Sequence, residues 1–148
     1  MNIEIKRIEP TIENLYEIEL LRHQVFHLKT DDNSIRLSYS IFHALHNRLI
    51  PFALYLNGDM AAGVYVSCYG NDLFIDHLFV KEEYQNTGLK LGRRLLNTVL
   101  ELKPIFEKHF GKEISLSRLT PNNDKSRSIY EKIGYERQSN TPYMIKHI

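Results

Sequence analysis

Asp76 and His77 are the titratable groups of the apolar run Leu73-Phe-Ile-Asp-His-Leu-Phe-Val80, which is too hydrophobic for an exposed sheet edge. A carboxylate there can hold an ammonium ion or take its proton, directly or through a water. The imidazole beside it, titrating near neutrality, is the other candidate base. A plainer alternative is a carboxylate paired with a cation or capping a backbone group. Strand alternation places Phe74, Asp76, Leu78 and Val80 on one face and Ile75, His77 and Phe79 on the other.

The next segment, Val80-Lys-Glu-Glu-Tyr-Gln-Asn-Thr-Gly-Leu-Lys-Leu-Gly-Arg-Arg-Leu-Leu96, brings Gly88 and Gly92 to the start of a helix. Such a turn aims backbone N–H groups and the positive end of a helix dipole at one spot, and glycine lets the backbone come close to a ligand. It suits a pyrophosphate, although an ordinary strand-to-helix turn has the same composition. Lys90, Arg93 and Arg94 either add charge to that spot or stay exposed; Glu82 and Glu83 read as solvated loop charges. Further on, Asn123 suits a helix cap, and Tyr130, at helical spacing from Ser126 and Ile133, suits packing with its hydroxyl satisfied.

These residues need a scaffold, and the hydrophobic pattern supplies one. Ile3 to Ile8 reads as a strand ended by Pro10, and Ile12, Leu15, Ile18, Leu21 and Val25 recur at helical spacing after Thr11. A second helix, capped by Asn33 or Ser34, is expected through Ile41, Leu45 and Leu49 to Pro51. Strands at 52–56 and 61–69 meet at Asn57-Gly58, the dipeptide best suited to a tight hairpin. Strand 73–80 follows, then a helix from Leu91 to Leu102 that Pro104 must disturb or break. A strand at 114–119, a helix at 123–133 and a strand at 143–148 close the chain. The order is βααβββαβαβ: an α+β fold with helices on both faces of a mixed, mostly antiparallel sheet, in a single domain over residues 1–148.

The 148 residues suffice for one substantial core. Nineteen basic and eighteen acidic side chains nearly cancel, which argues against a nucleic-acid or membrane partner, so any anion site must be local. The one cysteine, Cys68, can form no intrachain disulfide and has no partnered histidine in a recognisable motif, which speaks against a covalent thiol route. The N-terminal stretch lacks a signal peptide's apolar core, no run approaches the ~20 residues that cross a bilayer, and the cytoplasm is the expected compartment. His27, Tyr39, His43 and His46 show no metal-ligand spacing; no metal is expected and they receive no role.

Within residues 121–135, Asn123, Ser126, Tyr130 and Gly134-Tyr135 follow the pattern Asn-x-x-Ala/Ser-x-x-x-Tyr-x-x-x-Gly-Phe/Tyr. This resembles the cofactor-clasping helix of the GNAT superfamily of acyl-CoA-dependent N-acyltransferases. Gln85-Asn86-Thr87-Gly88-Leu89-Lys90 resembles that family's acetyl-CoA loop, Gln/Arg-x-x-Gly-x-Gly/Ala, with Lys90 in place of the last small residue. Leu91-Gly92-Arg93-Arg94-Leu95-Leu96 resembles its Ile-Gly-x-x-Leu-Leu, with Gly92 as the final glycine. The two registers differ by two residues, so a longer connection or an irregular first helical turn is expected.

The resemblance implies the βααβββαβαβ GNAT fold and acetyl-CoA as acyl donor, without a metal. It also implies an amine acceptor, direct attack in a ternary complex and a homodimer as the default assembly. Tyr130 would protonate the departing thiolate and Asp76 would serve the amine. Leu78, Phe79 and Val80 would offer main-chain groups where two parallel strands splay. Gln85, Asn86, Thr87, Gly88, Leu89, Lys90, Gly92 and Arg93 would cradle the phosphates; Asn123 would contact the pantetheine arm, with Ser126 and Tyr130 beside it. Segment 73–80 also resembles the matching strand of the polyamine acetyltransferase branch, which has acidic residues at the positions of both Asp76 and His77; the histidine here argues against a polycation. A small-molecule amine is the expected acceptor, with a protein amine or a non-catalytic acyl-CoA sensor as alternatives.

Overall fold

A computed structural model describes residues 1–148. A seven-stranded sheet runs in the order β1-β2-β3-β4-β5-β7-β6. Its strands are β1 (Ile3–Arg7), β2 (Ile50–Leu56), β3 (Asp59–Tyr69), β4 (Asp72–Val80), β5 (Leu116–Leu119), β6 (Glu136–Arg137) and β7 (Met144–His147). All neighbours are antiparallel except β4 and β5. Helices α1 (Ile12–Val25), α2 (Asp32–Arg36) and α3 (Tyr39–Leu45) cover one face; α4 (Leu91–Glu101), α5 (Lys103–Phe110) and α6 (Asp124–Ile133) cover the other.

Both faces are therefore buried. A cluster of 21 residues joins the sheet to α4, α5 and α6, and one of 12 joins it to α1, α2 and α3. That is why β4 is so apolar. Leu91, Leu95, Leu96 and Val99 form the buried stripe that lays α4 on the sheet. Thr11 caps α1 by accepting the Asn14 N–H, as its position predicts, and Asn57 (φ 51°) with Gly58 (φ 84°) makes the hairpin turn.

The expected second helix is two short ones. Leu37 ends α2, and the Ser38 hydroxyl accepts the Ile41 N–H to begin α3, which stops four residues short of Leu49. Pro51 does not end a helix but lies inside β2, at the end where β1 has stopped pairing, so its missing N–H costs no ladder bond on that side. Pro104 starts α5, a helix absent from the predicted order, and the two-residue β6 was also missed.

Gly63 of β3 lets the Phe79 ring cross that strand: a Cβ at this position would lie 2.5 Å from the ring. Gly63→Ala is expected to cost about 1–3 kcal/mol through forced repacking. A lower urea midpoint with an unchanged slope is the readout.

Candidate active site

The ladder between β4 and β5 ends at Ile75 and Leu119, while β4 runs on to Val80 paired only with β3. In an antiparallel pair, successive residues turn their N–H groups alternately toward and away from the partner. Lys81 N–H donates to Ala61 O, so Phe79 and His77 share its phase. The main-chain groups of Leu78 and Val80 consequently face the opening between β4 and β5. The Val80 carbonyl accepts the Gln85 Nε2–H at 2.8 Å, which pins the start of the loop.

That opening belongs to a cleft of about 440 Å³. On one side the loop after β4, the first turn of α4 and the α6 residues Ser126 and Tyr130 line it; on the other, Val25 and Phe26 at the end of α1. The cleft passes between the two faces of the sheet where the strands part. Every residue proposed from the sequence to hold the donor reaches it except Leu89, which packs against the core instead. Asp76 also lies outside its lining.

Within the loop, a single 3₁₀ turn (Glu82–Tyr84) and the Thr87 hydroxyl donating to Tyr84 O set the path. Asn86 (φ 60°), Gly88 (φ 81°) and Lys90 (φ 55°) are all left-handed. No backbone or side-chain acceptor within the chain meets any N–H from Asn86 to Arg93; the first satisfied one is Arg94 N–H, on Lys90 O. Lys90 is the N-cap residue and its side chain is exposed at the cleft lining, so α4 begins at Leu91 and Gly92 sits in its first turn. The two sequence registers abut at this cap residue, where α4 begins. A Cβ on Gly92 would stand 3.3 Å from Val80 Cγ2, which explains a glycine there.

Asn123 caps α6 by accepting the Ser126 N–H at 2.8 Å, while Ser126 Oγ accepts the Asn123 N–H at 3.1 Å. The cap alone accounts for both residues, and both also face the cleft. Tyr130 is 8% exposed, yet its hydroxyl has no hydrogen-bond partner in the chain and lies at the cleft wall. Burial pushes its pKa up to about 12, so it stays protonated. Tyr135, whose ring is 6.0 Å away, differs: its hydroxyl pairs with Ser117 Oγ at 2.7 Å. Burial raises the pKa of the Cys68 thiol, whose one hydrogen bond goes to Gly70 O, so the thiol is poorly suited to attack.

The predicted alternation of β4 fails at Asp76. Tyr65 pairs with His77 and Val66 with Ile75, leaving Asp76 as the extra residue of a β-bulge. Ile75 therefore joins the α4 core, not the face of His77 and Phe79, and Phe74 is separated from Leu78 and Val80. Asp76 is exposed, and the partial desolvation by its neighbours raises its carboxyl from its ordinary value, partly opposed by the Ser67 hydroxyl.

A network that the sequence pattern did not reveal lies beneath. Glu19 is fully buried; it accepts from Arg22 Nε at 3.0 Å and from the Tyr65 hydroxyl at 2.5 Å, with His23 Nε2 at 3.1 Å. His23 Nδ1 donates to Lys29 O at 2.6 Å and so ties down the turn after α1. Lys125, also missed, lines the cleft and donates to Asn86 Oδ1, joining α6 to the loop across its mouth.

No curated protein matches the chain in sequence. Among solved structures, the PaiA N-acetyltransferase of Thermoplasma acidophilum in complex with coenzyme A is 21% identical, with a TM-score of 0.67 and full coverage (100%) of both chains. Naa50 of Arabidopsis thaliana, in complex with the bisubstrate analogue CoA-Ac-MVNAL, is 15% identical, with a TM-score of 0.71 and 100% of both chains covered. An aminoglycoside acetyltransferase from an uncultured soil metagenomic sample is 12% identical, with a TM-score of 0.68, over 95% of this chain and 96% of its own. These likenesses establish the fold. The family model of the acetyltransferase (GNAT) domain matches residues 47–137, which carry the parted strands, the loop and α6. That match covers most of the chain and every element of the cleft except the end of α1, and the protein belongs to the GNAT acetyltransferase family.

Proposed function

We propose that the protein moves an acetyl group from acetyl-CoA to a primary amine of a small molecule, by direct attack with both substrates bound. The observation that carries this is the unpartnered Tyr130 hydroxyl at the wall of a cleft whose entrance presents the free N–H groups of Asn86 to Arg93.

The residues present fit coenzyme A. The free N–H groups and the N-terminus of α4 suit a pyrophosphate, and exposed Lys90 and the cleft-lining Arg93 and Lys125 add positive charge. The open main-chain edge at Leu78 and Val80 suits the amides of a pantetheine arm, beside the Asn123 side chain. Acetyl-CoA supplies an acetyl group activated as a thioester. The chain's part is to orient it, to hold the negative charge developing on its carbonyl oxygen with the Leu78 N–H, and to donate the Tyr130 proton to the departing sulfur. Asp76 receives the amine. An oxyanion held by main chain is untouched by side-chain mutagenesis.

The first assay is release of free thiol from acetyl-CoA with polyamines, amino acids, aminoglycosides and short peptides. Turnover confined to one small-amine class is the expected result. Turnover with peptides alone would replace the acceptor class, as the likeness to Naa50 allows. Tight acetyl-CoA binding without turnover would favour a sensor.

A further inference from the structure

The short helix α3 is apolar on both of its sides. Ile41 and Ala44 are buried in the core that it shares with α1, while Tyr39, 74% exposed, Phe42 and Leu45 stand in solvent, with Leu37, 82% exposed, just before them. A surface helix is ordinarily polar on its outer side, and one that is apolar all round is ordinarily covered all round. Four of the ten large apolar side chains that the protein leaves exposed fall within residues 37–45, so they form a patch and not a scatter. Two imidazoles extend it: His43 packs on Tyr39 at 3.9 Å and His46 on Phe42 at 4.4 Å, ring centre to ring centre.

The charges around the patch say what covers it. No residue of 28–49 lines the cleft, so the patch stands apart from the donor's site. Within α3 there is no lysine, arginine or carboxylate, whereas a helix that lies on a membrane or on nucleic acid brings cations to it. The charges lie at the two ends of the segment instead, and they are opposite. Asp31 precedes it and Arg48 follows it; both are exposed and neither forms an ion pair in the chain, while Asp32 is taken by Arg36. A two-fold axis satisfies that pattern, because it sets the segment antiparallel to its own copy: each acidic end meets a basic end, and the uncharged middle meets itself.

We propose that α3 and the turn before it form a two-fold interface between two copies of this chain, with Leu37, Tyr39, Phe42 and Leu45 at its centre and Asp31 of each copy against Arg48 of the other. Aromatic side chains enriched and charges depleted at the centre, with the polar groups at the rim, is the composition of an interface core. Because the patch and the cleft share no residue, both clefts of the dimer stay open to their substrates.

The test is the molar mass in solution by sedimentation velocity, over roughly 1 to 100 µM of the full chain, the range in which the weaker of specific interfaces associate. Wild type should be a dimer. Tyr39→Ser and Leu37→Glu change side chains that stand mostly in solvent, so their thermal melts should match wild type while each raises the dimer dissociation constant by about 30-fold. Arg48→Glu should weaken the dimer too, and Arg48→Glu combined with Asp31→Lys should restore it. The second change gives up the cap of α2, so a restored dimer cannot come from a more stable fold. A wild type that is monomeric at the highest concentration, a dimer indifferent to Tyr39→Ser and Leu37→Glu, or a double charge variant no tighter than Arg48→Glu alone overturns the proposal. The mass is read without substrate, so none of these outcomes bears on the acetyl-transfer reading.

Discussion

Tyr130→Phe lowers kcat by about 10³-fold while acetyl-CoA binding and thermal stability stay essentially as in wild type. The hydroxyl has no partner in the chain, so its removal leaves no polar group stranded, and the ring keeps its packing against Ile133 and Tyr135. What is lost is a proton donor held neutral by burial, with a pKa of about 12. Because that value lies above the working range, Tyr130 adds no alkaline limb near neutrality, and the defect should be uniform across it. Tyr135→Phe is the matching control. It strands the buried Ser117 hydroxyl, so it should cost roughly 1–3 kcal/mol of stability and leave kcat nearly intact. Two identical chemical changes five positions apart thus have opposite expected signatures. An unchanged kcat in Tyr130→Phe removes the tyrosine from the reaction.

The contrast between these two tyrosines marks what a sequence can disclose. The helix 124–133, its Asn123 cap and the glycine-bearing loop are local, and local spacing exposed them. The α1 cap at Thr11 and the Asn57-Gly58 turn were legible for the same reason. The bulge at Asp76 was not, because it is a property of two strands in register, and alternation within β4 alone predicts the wrong face for Ile75. Lys90 seemed a defect in a glycine-rich motif until its left-handed backbone showed that the lysine itself ends the loop. Glu19 lay hidden among the polar residues of α1, since its partner Tyr65 is 46 positions away. Its place next to Ile18 and one turn after Leu15, inside the buried stripe, was the one available signal.

Glu19→Ala is expected to destabilise the fold by about 3–5 kcal/mol, a large share of the roughly 5–15 kcal/mol that holds a domain together. It leaves the Arg22 charge and the Tyr65 hydroxyl without their acceptor, Tyr65 being fully buried. Glu19→Gln keeps the volume and an oxygen for Tyr65, and isolates the charge. Burial pushes the Glu19 carboxyl up, but the hydrogen bonds from Arg22 and Tyr65, with the charges of Arg22 and His23, outweigh it, and the folded-state pKa falls below the ordinary 4.5. A carboxyl depressed on folding contributes its stability above the unfolded value and loses it as pH falls through the folded one. The stability gap between wild type and Glu19→Gln should therefore be constant near neutrality and shrink below about pH 4.5. A gap independent of pH would mean that Glu19 acts through shape alone.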